Sequence, residues 1–373
     1  MRVREIVFHD FRSFRGERRI SFVDPATGVV RPVTVLAGSN GSGKTTLLDA
    51  IEALVAFVLE PDRPGDLVRE AWETGLICMA VELSPAEAPS NSSRIQLFEL
   101  EGPSQVVHIA VGRRDLAPAH PEKEWPNLFC HLVQREVSGR PYIRKASLAE
   151  RLRKTVSLMH QGQAETYSGL LYFPHDRQLG LMRGGPIEPP PEERPWHFRF
   201  SPSDRWQGSL EQLWVWQNYL DLEDNAPGPR NLAPFVESVE QVLGPDRRIT
   251  ISQGRAQVPV GWKQDGERPT VRLDQLPSGE QQVLLLFGEL ARRRRPGAVI
   301  MIDEIENSLH PTLQRLVMWN LHRIAREWDA QVIVTTHSLE VIHTMRGGAF
   351  INLDYPEDRF DLPISDHSAE QIP

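Results

Sequence analysis

Gly38-Ser39-Asn40-Gly41-Ser42-Gly43-Lys44-Thr45-Thr46 follows the apolar run Arg31–Leu36 and leads into Leu47-Leu48-Asp49-Ala50-Ile51. The spacing G-x-x-x-x-G-K-[ST], with a strand before it and a helix over Thr45–Leu59 after it, reads as a phosphate-binding loop. Glycines let the backbone fold so that successive N–H groups point inward at phosphate oxygens. The helix start adds its partial positive charge. In such a loop Lys44 reaches the β- and γ-phosphates and the Thr45 hydroxyl ligates Mg²⁺.

Three further stretches fit around this loop. Val299-Ile300-Met301-Ile302 ends in Asp303-Glu304, the pattern of a buried parallel strand opening into a site at its C-terminal edge. One carboxylate there can hold Mg²⁺; the next can take a proton from attacking water. Leu276-Pro277-Ser278-Gly279-Glu280-Gln281-Gln282 opens a helix over 279–291, with Ser278 expected as its N-cap, and forms a second anion-binding helix end. One nucleotide needs one such loop, so a second cradle makes sense when it serves a nucleotide held by another subunit. Val332-Ile333-Val334-Thr335-Thr336 delivers His337-Ser338 to the same sheet edge, where His337 can contact a γ-phosphate.

The rest of the chain frames these motifs. The start alternates as a strand through Val3, Ile6 and Phe8, with a second strand over Arg18–Val23. Ile77–Leu83, Ile95–Leu100 and Val106–Val111 read as strands of an antiparallel insert, and Leu148–Gln161 as a basic amphipathic helix. Leu170–Phe173 is a short strand ending in Pro174-His175-Asp176-Arg177-Gln178. Residues 184–195 are a proline-rich linker. The aromatic stretch from Trp196 to Tyr219 suits a core or a subunit interface, base stacking being the other use of such residues. Helices are expected over Ser209–Leu222, Leu232–Leu243 and Pro311–Trp328, and a hairpin over Arg248–Ile251 and Gln257–Val260. Arg292–Arg295 ends a helix, where dipole and solvation account for its charge.

Bulk properties exclude several classes. The 373 residues carry a formal net charge of -8, so a protein that coats nucleic acid by charge alone is excluded and any such contact must be local. Cys78 and Cys130, the only two cysteines, lie outside metal-ligand spacing and read as thiols of a reducing cytoplasm. The longest apolar run, Ala53–Leu59, is far short of the roughly 20 residues that cross a bilayer. The opening has no signal-peptide core.

In their order these motifs resemble the ABC ATPases: Walker A, signature, Walker B, D-loop and switch histidine. The closer likeness is to the soluble branch of structural-maintenance-of-chromosomes (SMC), RecF-type and OLD-family ATPases and the AAA-family ATPases of bacterial defence. Ile6-Val7-Phe8-His9-Asp10-Phe11-Arg12-Ser13-Phe14 is similar to that branch's opening, with Asp10 where Asn is commoner. Ile302–Pro311 resembles I-D-E-x-E-x-x-L-H-P, and Leu276–Gln282 resembles L-S-x-G-E-x-Q with Pro277 as a departure. The likeness covers roughly 1–60 and 270–354.

The resemblance implies an α/β P-loop head with a mixed sheet flanked by helices. Its lobes are 1–60 and 270–354, an α+β or helical insert at 61–269 completes the head and meets partners, and 355–373 is a tail. It implies ATP and Mg²⁺ bound by Gly38–Thr46, Thr45 and Asp303, with Glu304 polarising water, Lys44 and His337 on the phosphates, and Gln178 as the Q-loop on metal and nucleotide, with Gln134, Gln161 and Gln163 as competitors. Arg12 and Ser13 approach the nucleotide. Ser278, Gly279 and Glu280 serve the ATP of a second copy in a head-to-tail homodimer, with Asn307, Ser308 and Leu309 along the seam. The function implied is an ATPase that regulates a separate effector protein in anti-phage defence or DNA repair. A transporter's nucleotide-binding subunit and a RecF-like clamp on DNA are the alternatives.

Overall fold

The computed structural model describes residues 1–60, 62–83, 106–119, 124, 128–133, 142–144, 169–180, 189, 196–201, 210–224, 231–244, 247–260, 268–345 and 349–354. Its strands are β1 (Arg2–Phe11), β2 (Phe14–Ser21), β3 (Val33–Ala37), β4 (Leu76–Glu82), β5 (Val106–Arg113), β6 (Leu128–Val133), β7 (Tyr142–Arg144), β8 (Leu170–Phe173), β9 (His197–Arg199), β10 (Thr250–Ser252), β11 (Arg255–Pro259), β12 (Thr270–Arg272), β13 (Val299–Ile302), β14 (Gln331–Thr336) and β15 (Ala349–Asn352). Its helices are α1 (Lys44–Leu59), α2 (Asp66–Thr74), α3 (Leu210–Glu223), α4 (Ala233–Leu243), α5 (Ser278–Arg292), α6 (Pro311–Glu327) and α7 (Leu339–His343).

Six strands, ordered β15-β3-β14-β13-β8-β9, form a sheet in which every pairing is parallel. Parallel strands all end on the same edge, so the loops after β3, β8, β13, β14 and β15 share one rim. Short β-branched and aliphatic runs suit these strands because both faces are covered. Period-two alternation sorts their side chains: Leu170, Tyr172, Val299, Met301 and Ile333 enter one core, while Leu171, Phe173, Ile300, Ile302, Val332 and Val334 enter the other.

The first core is closed by α1 and by a second six-stranded sheet, β2-β1-β4-β5-β6-β7, antiparallel except at β5–β6. The strands expected as an antiparallel insert, β4 and β5, thus extend the N-terminal sheet, because β1 pairs with β4 from Arg2 to His9. The second core is closed by α3, α4, α5 and α6. Beside it stands a small sheet, β10-β11-β12.

Trp196, Phe198, Phe200 and Trp214 are buried, which makes this end of the aromatic stretch core. Arg292–Arg295 departs from the expected solvated end. Arg293 lies over the Phe198 ring at 3.6 Å and pairs with the fully buried Glu289, and Arg295 is buried as well. The expected strand 95–100, helix 148–161, linker 184–195 apart from residue 189, tail 355–373 and the glutamines 134, 161 and 163 lie outside the described residues.

Candidate nucleotide site

The rim of the parallel sheet gathers the sequence motifs. β3 runs into Gly38; the loop turns through positive φ at Gly38, Gly41 and Gly43. Gly43, at φ 100°, starts α1 without a side-chain cap, and the first turn of the helix has no acidic residue. Its backbone N–H groups are therefore open to an anion. A Cβ at Gly43 would stand 2.5 Å from Phe14 Cζ and 2.6 Å from Ser13 Oγ, so the opening Phe-Arg-Ser-Phe segment backs the loop. The Ser42 hydroxyl is buried with no partner, an orphan that a phosphate oxygen would satisfy.

Lys44 folds its ammonium onto the carbonyls of Gly38 at 2.8 Å and Ser39 at 2.9 Å. Burial lowers its pKa, and the carboxylates of Asp354, Asp303, Glu304 and Glu306 oppose that shift. At the next residue, Thr45 Oγ1 donates to Asp303 Oδ2 at 2.9 Å. Asp303 is fully buried. Its other oxygen accepts from Thr335 Oγ1 at 2.6 Å, and His175 Nδ1 stands 3.4 Å from Oδ2.

Glu304 takes φ 47°, a left-handed backbone that costs a non-glycine residue on the order of 1–3 kcal/mol and persists where its surroundings over-determine it. Here they do: Glu304 N–H donates to Thr335 Oγ1 at 2.7 Å, and its carbonyl accepts from Arg177 Nη2 and from Asn307 N, each at 3.0 Å. Arg177 is buried, and that burial pulls its pKa down to about 10 against the support of Asp303, Glu306 and Glu304. It remains a cation at neutral pH.

His337 follows β14. Its backbone N–H donates to Glu306 Oε1, and Thr336 Oγ1 donates to Glu306 Oε2 at 2.8 Å. Ser338 Oγ donates to Gln314 Oε1 at 2.6 Å, whose amide donates to Leu309 O at 2.9 Å. The segment Asn307–Leu309 is thereby tied to the end of β14, and Asn307 Nδ2 donates to His175 O at 2.9 Å.

The Ser278–Glu280 group stands differently. Pro277, not Ser278, is the N-cap of α5, with no side-chain cap bond; proline's extended ψ holds the chain outside the helix and draws Ser278 into the first turn, which leaves its hydroxyl exposed. Gly279 is buried, and a Cβ there would meet Ser308 O at 2.7 Å, so glycine is what allows α5 to touch the 307–309 segment. Glu280 pairs with Arg247 at 2.7 Å.

Arg12 and Gln178 lie apart from the hydrogen bonds described so far. Arg12 pairs bidentately with Glu70 of α2, at 2.7 Å for the shorter bond, while Ser13 and Phe14 are the residues on the loop. Gln178 is exposed, and His175 and Arg177 are the members of its turn that reach Asp303 and Glu304. Sequence reading also passed over Thr335, Glu306 and Asp354. The Asp354 carboxylate accepts from Ser39 N at 2.8 Å and Ser39 Oγ at 2.7 Å. The motif itself, I-D-E-I-E, signals Glu306; a lone Thr, Arg or Asp carries no local pattern.

The residues present fit a magnesium nucleotide. An uncapped helix start, an orphaned Ser42 hydroxyl and Lys44 suit phosphates. Thr45 with Asp303 suits Mg²⁺, which is usually held by one or two carboxylates, water and substrate phosphates. Among the described residues no group of three or more His, Cys, Asp or Glu forms a self-contained metal cage, and no helix is long and apolar enough to cross a membrane.

The family model described as "AAA domain, putative AbiEii toxin, Type IV TA system" matches residues 170–343, and a second, described as "AAA domain", matches residues 5–77. The "Retron Ec83 probable ATPase" of Escherichia coli is 37% identical over 82 residues, covering 19% of this chain and 15% of that protein. The chain therefore spans about 15% of the length of this curated relative. Among solved structures, the SMC head domain from Thermotoga maritima aligns with TM-score 0.44 and 16% identity over 94% of each chain. An SMC head bound to the C-winged helix domain of ScpA aligns with TM-score 0.47 and 13% identity, again over 94% of each chain.

Proposed function

We propose that this chain, a P-loop ATPase of the SMC/RecF/OLD-like kind, binds MgATP on Gly38–Thr46, hydrolyses it, and closes head to tail with a second copy to control an effector. One observation carries the reading: the buried Asp303 carboxylate bridges Thr45 of the phosphate loop to Thr335 of the switch strand, so three separate motifs share one hydrogen-bonded centre.

Lys44 leaves its carbonyl contacts to meet the β- and γ-phosphates. Thr45 and Asp303 would hold Mg²⁺, which would supply charge neutralisation on the phosphates. Glu304, aimed by its left-handed backbone, accepts a proton from the water that attacks the γ-phosphate. His337 lies beyond β14 on the same rim and contacts the γ-phosphate. Ser278 and Gly279 complete the site of the second copy: the exposed Ser278 hydroxyl, free of capping duty, is available to a phosphate that its own P-loop does not present. The close approach of Gly279 to Ser308 puts the start of α5 beside the 307–309 segment.

An effector on another chain and a role in anti-phage defence or DNA repair belong to the same proposal; the toxin–antitoxin wording of the matching family description is what favours a partner on another chain, and Arg12 and Gln178 remain proposed nucleotide neighbours in the closed form. The experiment is Glu304→Gln on the full chain. Hydrolysis falls by about a hundredfold or more, ATP binding survives, and an ATP-dependent dimer accumulates on a sizing column. Lys44→Ala loses nucleotide binding. Normal hydrolysis by the Glu304 variant refutes the assignment of the base; a monomer under all nucleotide conditions refutes the dimer.

A further inference from the structure

The turn after β8 holds Gln178 at its surface and Arg177 at its centre. Arg177 is 2% exposed. Its Nη1 donates to Pro174 O at 3.0 Å and to Asp303 O at 2.6 Å, and its Nη2 donates to Glu304 O at 3.0 Å. Nε, equally buried, has no hydrogen-bond partner. A buried guanidinium that spends its fork on main-chain carbonyls is fixing backbone rather than pairing with a carboxylate. The carbonyls it fixes belong to the two acids of the site, and one of those residues has the left-handed φ of 47°.

The other side of Arg177 leads to α5. Its own carbonyl accepts from Gln282 Nε2 at 3.1 Å. Gln282 lies one turn beyond Ser278–Gly279 on that helix. Gln281, beside it, donates to Leu276 O at 2.8 Å and so fixes the lead-in to the same turn. The start of α5 and the carbonyl of Glu304 are therefore joined through one residue.

We infer that Arg177 is a positioning residue for Glu304: its guanidinium locks the turn that aims the carboxylate, and Gln282 ties that lock to the first turns of α5. The inference rests on the reading of Glu304 as the base. It goes further by making the position of α5, the element that meets a second copy, a determinant of whether Glu304 is aimed.

The test compares the full-length wild type with Glu304→Gln, Arg177→Ala, Arg177→Lys and Gln282→Met. It measures kcat for ATP and the Kd of a fluorescent non-hydrolysable ATP analogue with Mg²⁺. In Arg177→Ala, kcat falls about a hundredfold, the scale of a small misplacement of a catalytic group, while Kd stays within about threefold because the phosphate loop is untouched. Added guanidinium ion restores about tenfold of the lost turnover by refilling the vacated site. Arg177→Lys stays low, since an ammonium lacks the fork. Gln282→Met, which leaves Arg177 in place, lowers kcat about tenfold with Kd unchanged.

Loss of nucleotide affinity in step with turnover, with no guanidinium rescue, means a merely structural arginine and overturns the inference. So does full turnover in Arg177→Ala. If neither Arg177 variant folds, wild-type turnover in Gln282→Met overturns it. Hydrolysis by Glu304→Gln at the wild-type rate removes the premise instead. An inactive Glu304→Gln beside fully active Arg177→Ala and Gln282→Met leaves the ATPase reading standing and this inference refuted.

Discussion

Thr335 shows how much one hydroxyl decides. It donates to Asp303 Oδ1 at 2.6 Å and accepts from Glu304 N–H at 2.7 Å, using its single proton on the carboxylate and a lone pair on the amide. Thr335→Val keeps the shape and removes both bonds. A buried carboxylate oxygen and a partly buried N–H then lose partners, which costs about 1–3 kcal/mol for the buried oxygen and less for the N–H. Turnover falls about ten- to hundredfold and the melting temperature drops, while Thr335→Ser keeps both near wild type. Steady-state kinetics with thermal denaturation checks this; a fully active Val variant would show that Asp303 and Glu304 hold their positions without Thr335. The two acids were legible in sequence because apolar-apolar-Asp-Glu is a local pattern. Thr335 and Arg177 were not, because their roles depend on residues 32 and 126 positions away.

Among elements, β15 illustrates register. Its parallel pairing with β3 places Asn352 opposite Ala37, and Leu353 N–H donates to Ala37 O at 2.8 Å. The next residue, Asp354, thereby meets Ser39 on the phosphate loop. Hydrogen bonds from the Ser39 hydroxyl, then from its backbone N–H, hold the Asp354 carboxyl below the usual carboxylate range. A depressed folded pKa means this contact is at full strength above the unfolded value of about 3.9 and is lost as pH falls through the lowered one. An anionic side chain beside a phosphate loop opposes an anionic ligand. Asp354→Asn therefore tightens nucleotide binding about threefold, by a factor that stays constant from about pH 6 to pH 8. Equilibrium titration at several pH values reads this out; an unchanged or weaker Kd assigns Asp354 a purely structural part. Strand and helix placement was largely visible from periodicity, but nothing local said that the strand at 349–352 would lie beside the one at 33–37.

Across the whole molecule, the two sheets are joined by an amide. Gln331, 1% exposed at the start of β14, accepts from Val3 N–H at 2.7 Å and donates to Val3 O at 2.8 Å. The side chain acts as a strand's worth of hydrogen bonding at the point where β1 and the parallel sheet meet. Gln331→Leu leaves both Val3 groups buried without partners and costs about 2–4 kcal/mol. Denaturant unfolding shows that loss, while turnover at 25 °C and nucleotide affinity stay close to wild type because the rim is remote. A variant as stable as wild type would mean that β1 relaxes onto other partners.

The sequence by itself determined the phosphate loop, the acidic strand end, the glycine-led helix start and the histidine that follows the apolar strand 332–336, since each is a short pattern whose placement follows from its own backbone and spacing. Tertiary structure alone decided that Asp303 bridges Thr45 to Thr335, that Arg177 rather than Gln178 turns inward, that Arg12 goes to Glu70, and that Gly279 lies against Ser308. The physical reason is range. A turn or a cap is settled within a few residues of chain, whereas the partner of a buried polar group is settled by which strands become neighbours and which faces they bury.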